Sequence, residues 1–199
     1  MNRTIKLNRT FGFLMIAMLA TFFSCKKTTN QELRDDELAL RTGYIDRFHK
    51  GASAVFRGVY IFPDKDQPKD QLKEEIKDKD VVRVYYEGYL LENSANGVQL
   101  KETRFDGNFN YKLGTEKYDP FELTVSDKEL YPSSYTKEIS GWHIALSNMK
   151  VGERAEVVIP SSQGYSYRGS GSIGAYQTLV FFIEVKEKVG DSGKEPVIE

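Results

Sequence analysis

From Val81 onward the chain alternates apolar and polar residues. Val82, Val84 and Tyr86 interleave with Arg83, Tyr85 and Glu87, which puts one apolar face on the two-residue period of a strand. Ala155, Val157 and Ile159 make a second such face, stopped at Pro160. Leu179, Phe181, Ile183 and Val185 make a third, with Glu184 and Lys186 pointing away from it. One segment between them keeps a helical period instead. Ile139, Trp142, Leu146 and Met149 fall on one stripe, with Ser140 as a polar start and Gly152 beyond the end. Before Val81 the pattern is looser. Leu33, Leu38, Leu40, Ile45 and Phe48 are spaced as in an amphipathic helix from Glu32 to Lys50, interrupted at Gly43. Residues 26–31 are polar and read as a tether. Ser53 to Phe62 is rich in β-formers and predicts a strand ended by Pro63-Asp64. Asp64 to Asp80 mixes both charges around Pro68 and reads as a solvated loop. Glu92 to Gly97 has a turn composition. Strands in runs with a single short helix predict an antiparallel α+β domain, the helix stripe packed on the concave apolar face of the sheet.

Composition narrows this little. The chain has 199 residues, 40% of them hydrophobic, enough for the core of one domain or at most two small ones. With 28 basic and 29 acidic residues the net charge is -1, so there is no electrostatic case for nucleic acid. The average hides one abrupt shift. Residues 1–24 carry Arg3, Lys6 and Arg9 and no acid, and Phe11 to Phe23 is apolar except for Gly12 and Thr21. As a helix that run rises about 20 Å, short of the roughly 30 Å of a bilayer core. It reads as a secretory signal. Its end, Leu19-Ala20-Thr21-Phe22-Phe23-Ser24-Cys25, resembles the lipobox of a bacterial lipoprotein. The resemblance implies cleavage before Cys25, lipid on Cys25, and a membrane anchor in the bacterial cell envelope, facing the periplasm. The chain then divides into a signal peptide (1–24), a lipidated tether with the N-terminal helix (25–52), the main domain (53–189) and a flexible tail (190–199).

Candidate chemistry is mostly excluded. His49 and His143 are far apart, lack a metal-ligand spacing, and read as surface or boundary residues. No Gly-x-Ser-x-Gly, phosphate-binding glycine fingerprint or His-Glu-x-x-His occurs. A lipidated Cys25 cannot be a nucleophile. The Gly/Ser-rich stretch from Gly164 to Gly174 does not lead from a strand into a helix, so it is a poor phosphate cradle. What remains is aromatic residues near turns and one Asp beside a Phe. Taken singly, Trp142 reads as core, Phe105-Asp106 as a turn edge and Tyr165 as a loop tyrosine.

Their joint order says more. The chain runs Val82-Arg83-Val84-Tyr85-Tyr86-Glu87-Gly88, Arg104-Phe105-Asp106, Pro120-Phe121, Ile139-Ser140-Gly141-Trp142, Met149-Lys150-Val151-Gly152-Glu153, Ile159-Pro160, Gly164-Tyr165 and Thr178-Leu179-Val180-Phe181. This sequence of motifs resembles the FKBP-type peptidyl-prolyl cis-trans isomerases. The resemblance implies a twisted antiparallel sheet wrapped around one short helix, here with an N-terminal helical extension. It implies a cofactor-free, metal-free isomerase of proline-containing polypeptides, and together with the address segment it predicts a monomer acting on exported proteins. The implied pocket has Trp142 as its floor and Tyr86, Phe105, Phe121, Ile139, Tyr165, Ile173 and Phe181 as walls. Asp106 supplies a polar edge, the Tyr165 hydroxyl meets a substrate carbonyl, and the Ile139 N–H is the backbone donor. Five stretches depart from the family pattern: an insertion over Lys128 to Lys137, Glu138 in a usually apolar position, Ser166 after Tyr165, a turn around Leu91 to Lys101 longer than the family hairpin, and Ile173-Gly174-Ala175 where two prolines are usual. The last change predicts a more mobile loop.

An aromatic hollow suits this reaction. Rotation about an X-Pro amide costs about 18–20 kcal/mol because it breaks resonance, although cis and trans differ by only about 0.5–1 kcal/mol. The twisted transition state is less polar than the planar amide. A dry aromatic cavity therefore disfavours it less than the ground state, and that difference lowers the barrier. Two readings from other classes stay open at this level: a binding module that holds proline peptides with weak or no turnover, and a chaperone that holds unfolded chains.

Overall fold

The computed structural model describes residues 29–68, 70, 72–110, 115–116, 118–126 and 138–190. The signal, Cys25, the Lys128 to Lys137 insertion and the tail past Gly190 lie outside them. A helix α1 (Thr29–Phe48) comes first. Strands β1 (Tyr60–Pro63), β2 (Val81–Ser94), β3 (Gly97–Leu100), β4 (Asp106–Gly107), β5 (Phe109–Asn110), β6 (Thr115–Glu116) and β7 (Phe121–Thr124) follow. Helix α2 (Ser140–Leu146), β8 (Arg154–Ile159) and β9 (Leu179–Val189) complete the chain.

The main sheet runs β1-β8-β9-β2-β3 and every pairing in it is antiparallel. Strand β2 organises it. One edge of β2 pairs with β9 from Val81 to Leu90, while β7, β4 and β3 share the other edge in succession. Near its start the β2–β9 register shifts between Arg83 and Val84, leaving Lys186 as the extra residue of a bulge. Arg83 there bridges Glu122 on β7 and Glu187 on β9, at 3.1 and 2.9 Å.

The concave face holds the main core. Val82, Val84, Val157, Ile159, Leu179, Ile183 and Val185 close around α2, whose Gly141 to Leu146 are all buried. A helix of seven residues is too short to stand alone in water, so this packing is what stabilises it. It is shorter than the stripe from Ile139 to Met149 predicts. It ends at Leu146, although Met149 is still buried, and Ser140 gives no side-chain cap because Ile139 occupies the cap position. Burial on all sides also corrects the reading of His143. It is 1% exposed, not a boundary residue. Its Nδ1 accepts the Ser126 N–H at 3.2 Å, and burial lowers its pKa, so the ring is held neutral. His49 does sit at a boundary, stacked on Phe62 and 3.0 Å from Glu156.

Helix α1 packs on the opposite, convex face, where Tyr44 and Ile45 meet Leu91, Val158 and Val180. It begins at Thr29, inside the stretch expected to be a tether, and it runs through Gly43 without interruption. Gly43 is there for contact: a Cβ at that position would stand 2.8 Å from Val98 Cγ2 on β3. The amphipathic reading of α1 fails in part, since Leu38 is exposed and the acidic Glu37 is buried. The strand expected from Ser53 forms only at Tyr60. Before it the chain turns tightly, with the Val55 N–H bonded to Val59 O, the Val59 N–H to Phe56 O, and Arg57 in left-handed backbone at φ 45°. The expected turn from Glu92 shrinks to a two-residue hairpin loop, because β2 continues to Ser94, which pairs with Gly97.

Truncating Ile144, fully buried on α2, to alanine is predicted to cost about 2–5 kcal/mol through lost contacts and a residual cavity. Urea unfolding measures it, and a loss under 1 kcal/mol would contradict the enclosed position of α2.

Candidate active site

The mouth of the concave face is lined by rings. Trp142, 5% exposed, lies on α2 with three rings edge-on to it. The centroid of Tyr86 is 5.0 Å from it at 89°, that of Phe181 5.1 Å at 69°, and that of Phe121 6.0 Å at 79°. Phe105 packs against Phe181 at 5.5 Å and 80°. Each contact has the edge-to-face geometry that aromatic quadrupoles favour. Trp142, Phe181 and Ile173 are buried, whereas Tyr86, Phe105, Phe121, Ile139 and Tyr165 are half-buried. The result is an aromatic cluster with buried rings at its centre and half-buried ones at its edge. The Tyr165 hydroxyl and the Ile139 N–H are donors there, whereas the Tyr86 hydroxyl is given to Asp106. Among the described residues, the Ile139 N–H has no acceptor.

Local backbone features explain why these side chains meet. Phe105 reaches the cluster because its N–H bonds to Gly88 O at 2.9 Å, just before β4 pairs with β2. Gly88 is the clearance for it. A Cβ there would stand 2.7 Å from Phe105 Cζ and 2.8 Å from Phe181 Cε1. Asn108 then fixes the chain after β4. Its Oδ1 accepts the Tyr86 N–H at 2.8 Å, and its Nδ2 donates to Val84 O and Asp119 O. Neither Gly88 nor Asn108 was identifiable as a positioning residue from local sequence, because their work is with strands distant in the chain. Tyr165 follows a single 3-10 turn, Ser161–Gln163. The loop after it folds back through Ser166 N–H to Ser161 O and Tyr176 N–H to Ser166 O, both 2.8 Å. Ser170 and Ile173 exchange two backbone hydrogen bonds of 2.9 Å. The two missing prolines therefore do not leave this loop unpinned.

The rim is polar in a specific way. The Tyr86 hydroxyl donates to Asp106 Oδ2 at 2.9 Å, while Asp106 Oδ1 accepts the Gly107 N–H at 2.8 Å. Burial, then the charge and hydrogen bond of Asp106, then Glu138, raise the pKa of Tyr86. Burial, Asp106 and Glu138 raise that of Tyr165 in the same order. Both phenols are thus held as neutral donors, facing acidic neighbours. This end of the core thus presents apolar rings and neutral phenols.

The family model of FKBP-type peptidyl-prolyl cis-trans isomerase matches residues 73–186. The chain belongs to this family. Among FKBP-type relatives, it is 30% identical over 125 residues to FK506-binding protein 2 of Debaryomyces hansenii, covering 63% of this chain and 76% of the relative. It is 30% identical over 114 residues to the FK506-binding protein of Neisseria meningitidis, covering 57% of this chain and 83% of that one. Two solved structures share the FKBP-type fold. The peptidyl-prolyl cis-trans isomerase of Pseudomonas syringae has a TM-score of 0.54 and 22% identity, covering 82% of this chain and 98% of the other. FkpA of Escherichia coli has a TM-score of 0.55 and 24% identity, covering 92% of this chain and 74% of the other. The expected α+β architecture and isomerase family are therefore both found, and the family implies proline-containing peptides as substrates.

The raised pKa values give a test of the rim. A raised tyrosine pKa means the Tyr86–Asp106 bond is fully present below about pH 10, the ordinary phenol value, and is lost as pH rises through the higher folded-state value. Phenolate absorbance of the native protein minus that of Tyr86→Phe isolates this group. Ionisation at or below pH ~10 in that difference would mean that the phenol is neither buried nor paired with Asp106.

Proposed function

We propose that this aromatic cluster forms a hollow in which an X-Pro bond rotates, and that the protein assists the folding of exported polypeptides from a lipid anchor on the periplasmic side of the bacterial envelope, as a monomer. The observation that carries the proposal is the set of rings edge-on to Trp142 beneath the Tyr86–Asp106 pair. In this reading the pyrrolidine ring rests on the indole. The walls formed by Tyr86, Phe105, Phe121, Ile139, Ile173 and Phe181 exclude water around the amide. A planar amide loses hydration on entering, and the twisted, less polar form loses less, so the barrier falls. Tyr165 and the Ile139 N–H hold carbonyls of the flanking backbone, which keeps the rotating bond centred over the indole. Asp106 takes part through the edge it shares with Tyr86. No proton is transferred and no bond is made or broken.

Address and activity support each other. Lipid on Cys25 would leave only the residues up to Thr29 between the membrane and α1, keeping the domain near polypeptides that emerge across it. Stable anchoring of this kind needs more than one acyl chain, which lipoprotein modification supplies.

A soluble form lacking residues 1–25 should accelerate cis/trans exchange of a proline tetrapeptide. Asp106→Ala and Tyr165→Phe should each lower kcat/KM about two- to tenfold with the fold intact, the effect of one lost hydrogen bond. Acceleration absent in the wild type rejects the enzymatic reading in favour of a non-catalytic peptide binder. Unchanged rates in both variants reject the assigned site. Separately, the full chain expressed in a bacterium should partition into a detergent phase and Cys25→Ala into the aqueous phase; equal partition of the two rejects the anchor.

A further inference from the structure

Helix α1 lies outside the family-matched region, residues 73–186, yet it contacts both ends of the segment that carries Tyr165 and Ile173. Three of its residues at helical spacing, Arg34, Glu37 and Arg41, face the segment that carries Tyr165 and Ile173. Glu37 is the centre of the contact. It is 8% exposed, and its carboxylate accepts hydrogen bonds from both roots of that segment. At the first root, the Ser161 N–H donates to Oε1 at 2.6 Å and the Ser161 hydroxyl to Oε2 at 2.5 Å. At the second root, the Thr178 hydroxyl donates to Oε1 at 3.1 Å. Arg41 completes the set at 2.8 Å and neutralises the charge, so the carboxylate is both paired and hydrogen-bonded, as a buried charge must be. The Arg34 guanidinium lies 5.2 Å from the ring centroid of Tyr176, within the same segment.

Both roots connect by short steps to the hollow. Ser161 O also accepts the Ser166 and Gly164 N–H groups, the two residues on either side of Tyr165. Thr178 precedes Leu179 and so ends the loop that carries Ile173. A shift of Ser161 relative to Thr178 therefore moves the Tyr165 hydroxyl relative to the floor. Resting on the isomerase reading of the hollow, we propose that α1 is a working part of the peptide site. Its Glu37 clasps both ends of the Tyr165–Ile173 segment and sets the fraction of molecules whose site is ready for a peptide. Glu37 is a positioning residue and touches no substrate. Releasing the clasp reduces the competent fraction, which raises the apparent KM by the inverse of that fraction. Once peptide is bound the same contacts are made, so kcat is unchanged.

The test uses the processed lipoprotein in detergent, with two readouts. The first is KM and kcat for a proline tetrapeptide. The second is native-state hydrogen exchange of the Gly164, Ser166 and Tyr176 amides, which reports the clasp whether or not the protein is an isomerase. Glu37→Ala should raise KM about tenfold with kcat within twofold, and speed exchange of those amides by a similar factor. Glu37→Gln keeps an oxygen for the Ser161 N–H and Thr178, and an amide that can donate to the Ser161 hydroxyl, so it should restore both readouts. Ile45→Ala loosens the same helix at the distant contact with Leu91 and Val180, and should lower stability while leaving both readouts alone. Should Glu37→Ala fail to fold, Ser161→Ala removes one donor only and should move both readouts the same way. Unchanged amide exchange in Glu37→Ala overturns the clasp. A rise in KM for Ile45→Ala equal to that for Glu37→Ala also overturns it, by reducing α1 to a general stabiliser. A wild type without isomerase activity but with clasp-dependent exchange sinks only the functional reading.

Discussion

A seven-residue helix cannot hold itself together in water, and everything at the candidate site depends on one. The first hydrogen-bonded turn costs more conformational entropy than it returns, and α2 is too short to recover that by propagation. It persists because the sheet curves around it and buries every residue from Gly141 to Leu146. That enclosure fixes Trp142 in one orientation, against rings delivered by β2, β7 and β9. It also leaves the N-terminal end of α2, with Ile139, at the rim of the hollow.

The long strand β2 supplies the second half of the arrangement. It pairs with β9 on one edge and with three short strands on the other. Its two faces do different work. Val82, Val84 and Tyr86 face the helix. Tyr85, Glu87 and Tyr89 form a second buried layer, in which the Tyr89 hydroxyl donates to Glu87 at 3.0 Å and Arg104 stands 3.9 Å from the same carboxylate. Burial and that acceptor push the Tyr89 pKa up to about 12. The opposite side of the sheet is therefore packed around Glu87 and beneath α1, while Arg83, Glu122 and Glu187 leave its far end exposed.

The site is made of neutral donors and apolar walls, with acid only at the edge. Asp106 is exposed and accepts the hydrogen bond of the Tyr86 hydroxyl, which orients that phenol. Glu138, at a position usually apolar in the family, adds a second negative charge near Tyr86 and Tyr165. Both phenols are kept protonated by burial first and by these carboxylates second.

The alternation at Val82 to Tyr86, Ala155 to Ile159 and Leu179 to Val185 determined the three long strands, because a strand half-buried on one side writes its period directly into the chain. The stripe through Trp142 located α2, and the order of short motifs named the family and the aromatic set. Other features were decided only by contacts between residues far apart. The segment from Ser53 carries strand-forming residues but turns at Arg57, since backbone bonds among Val55, Phe56 and Val59 outweigh propensity. His143 and Glu37 look like surface residues in sequence, because polarity marks where a side chain would sit unaided, and burial with partners reverses it. Gly43 and Gly88 are interpretable only once Val98, Phe105 and Phe181 are seen beside them. Local period and motif order belong to one stretch of chain at a time. Clearance, enclosure and the pairing of a buried carboxylate with Ser161 and Thr178 belong to stretches that meet only when the chain has folded.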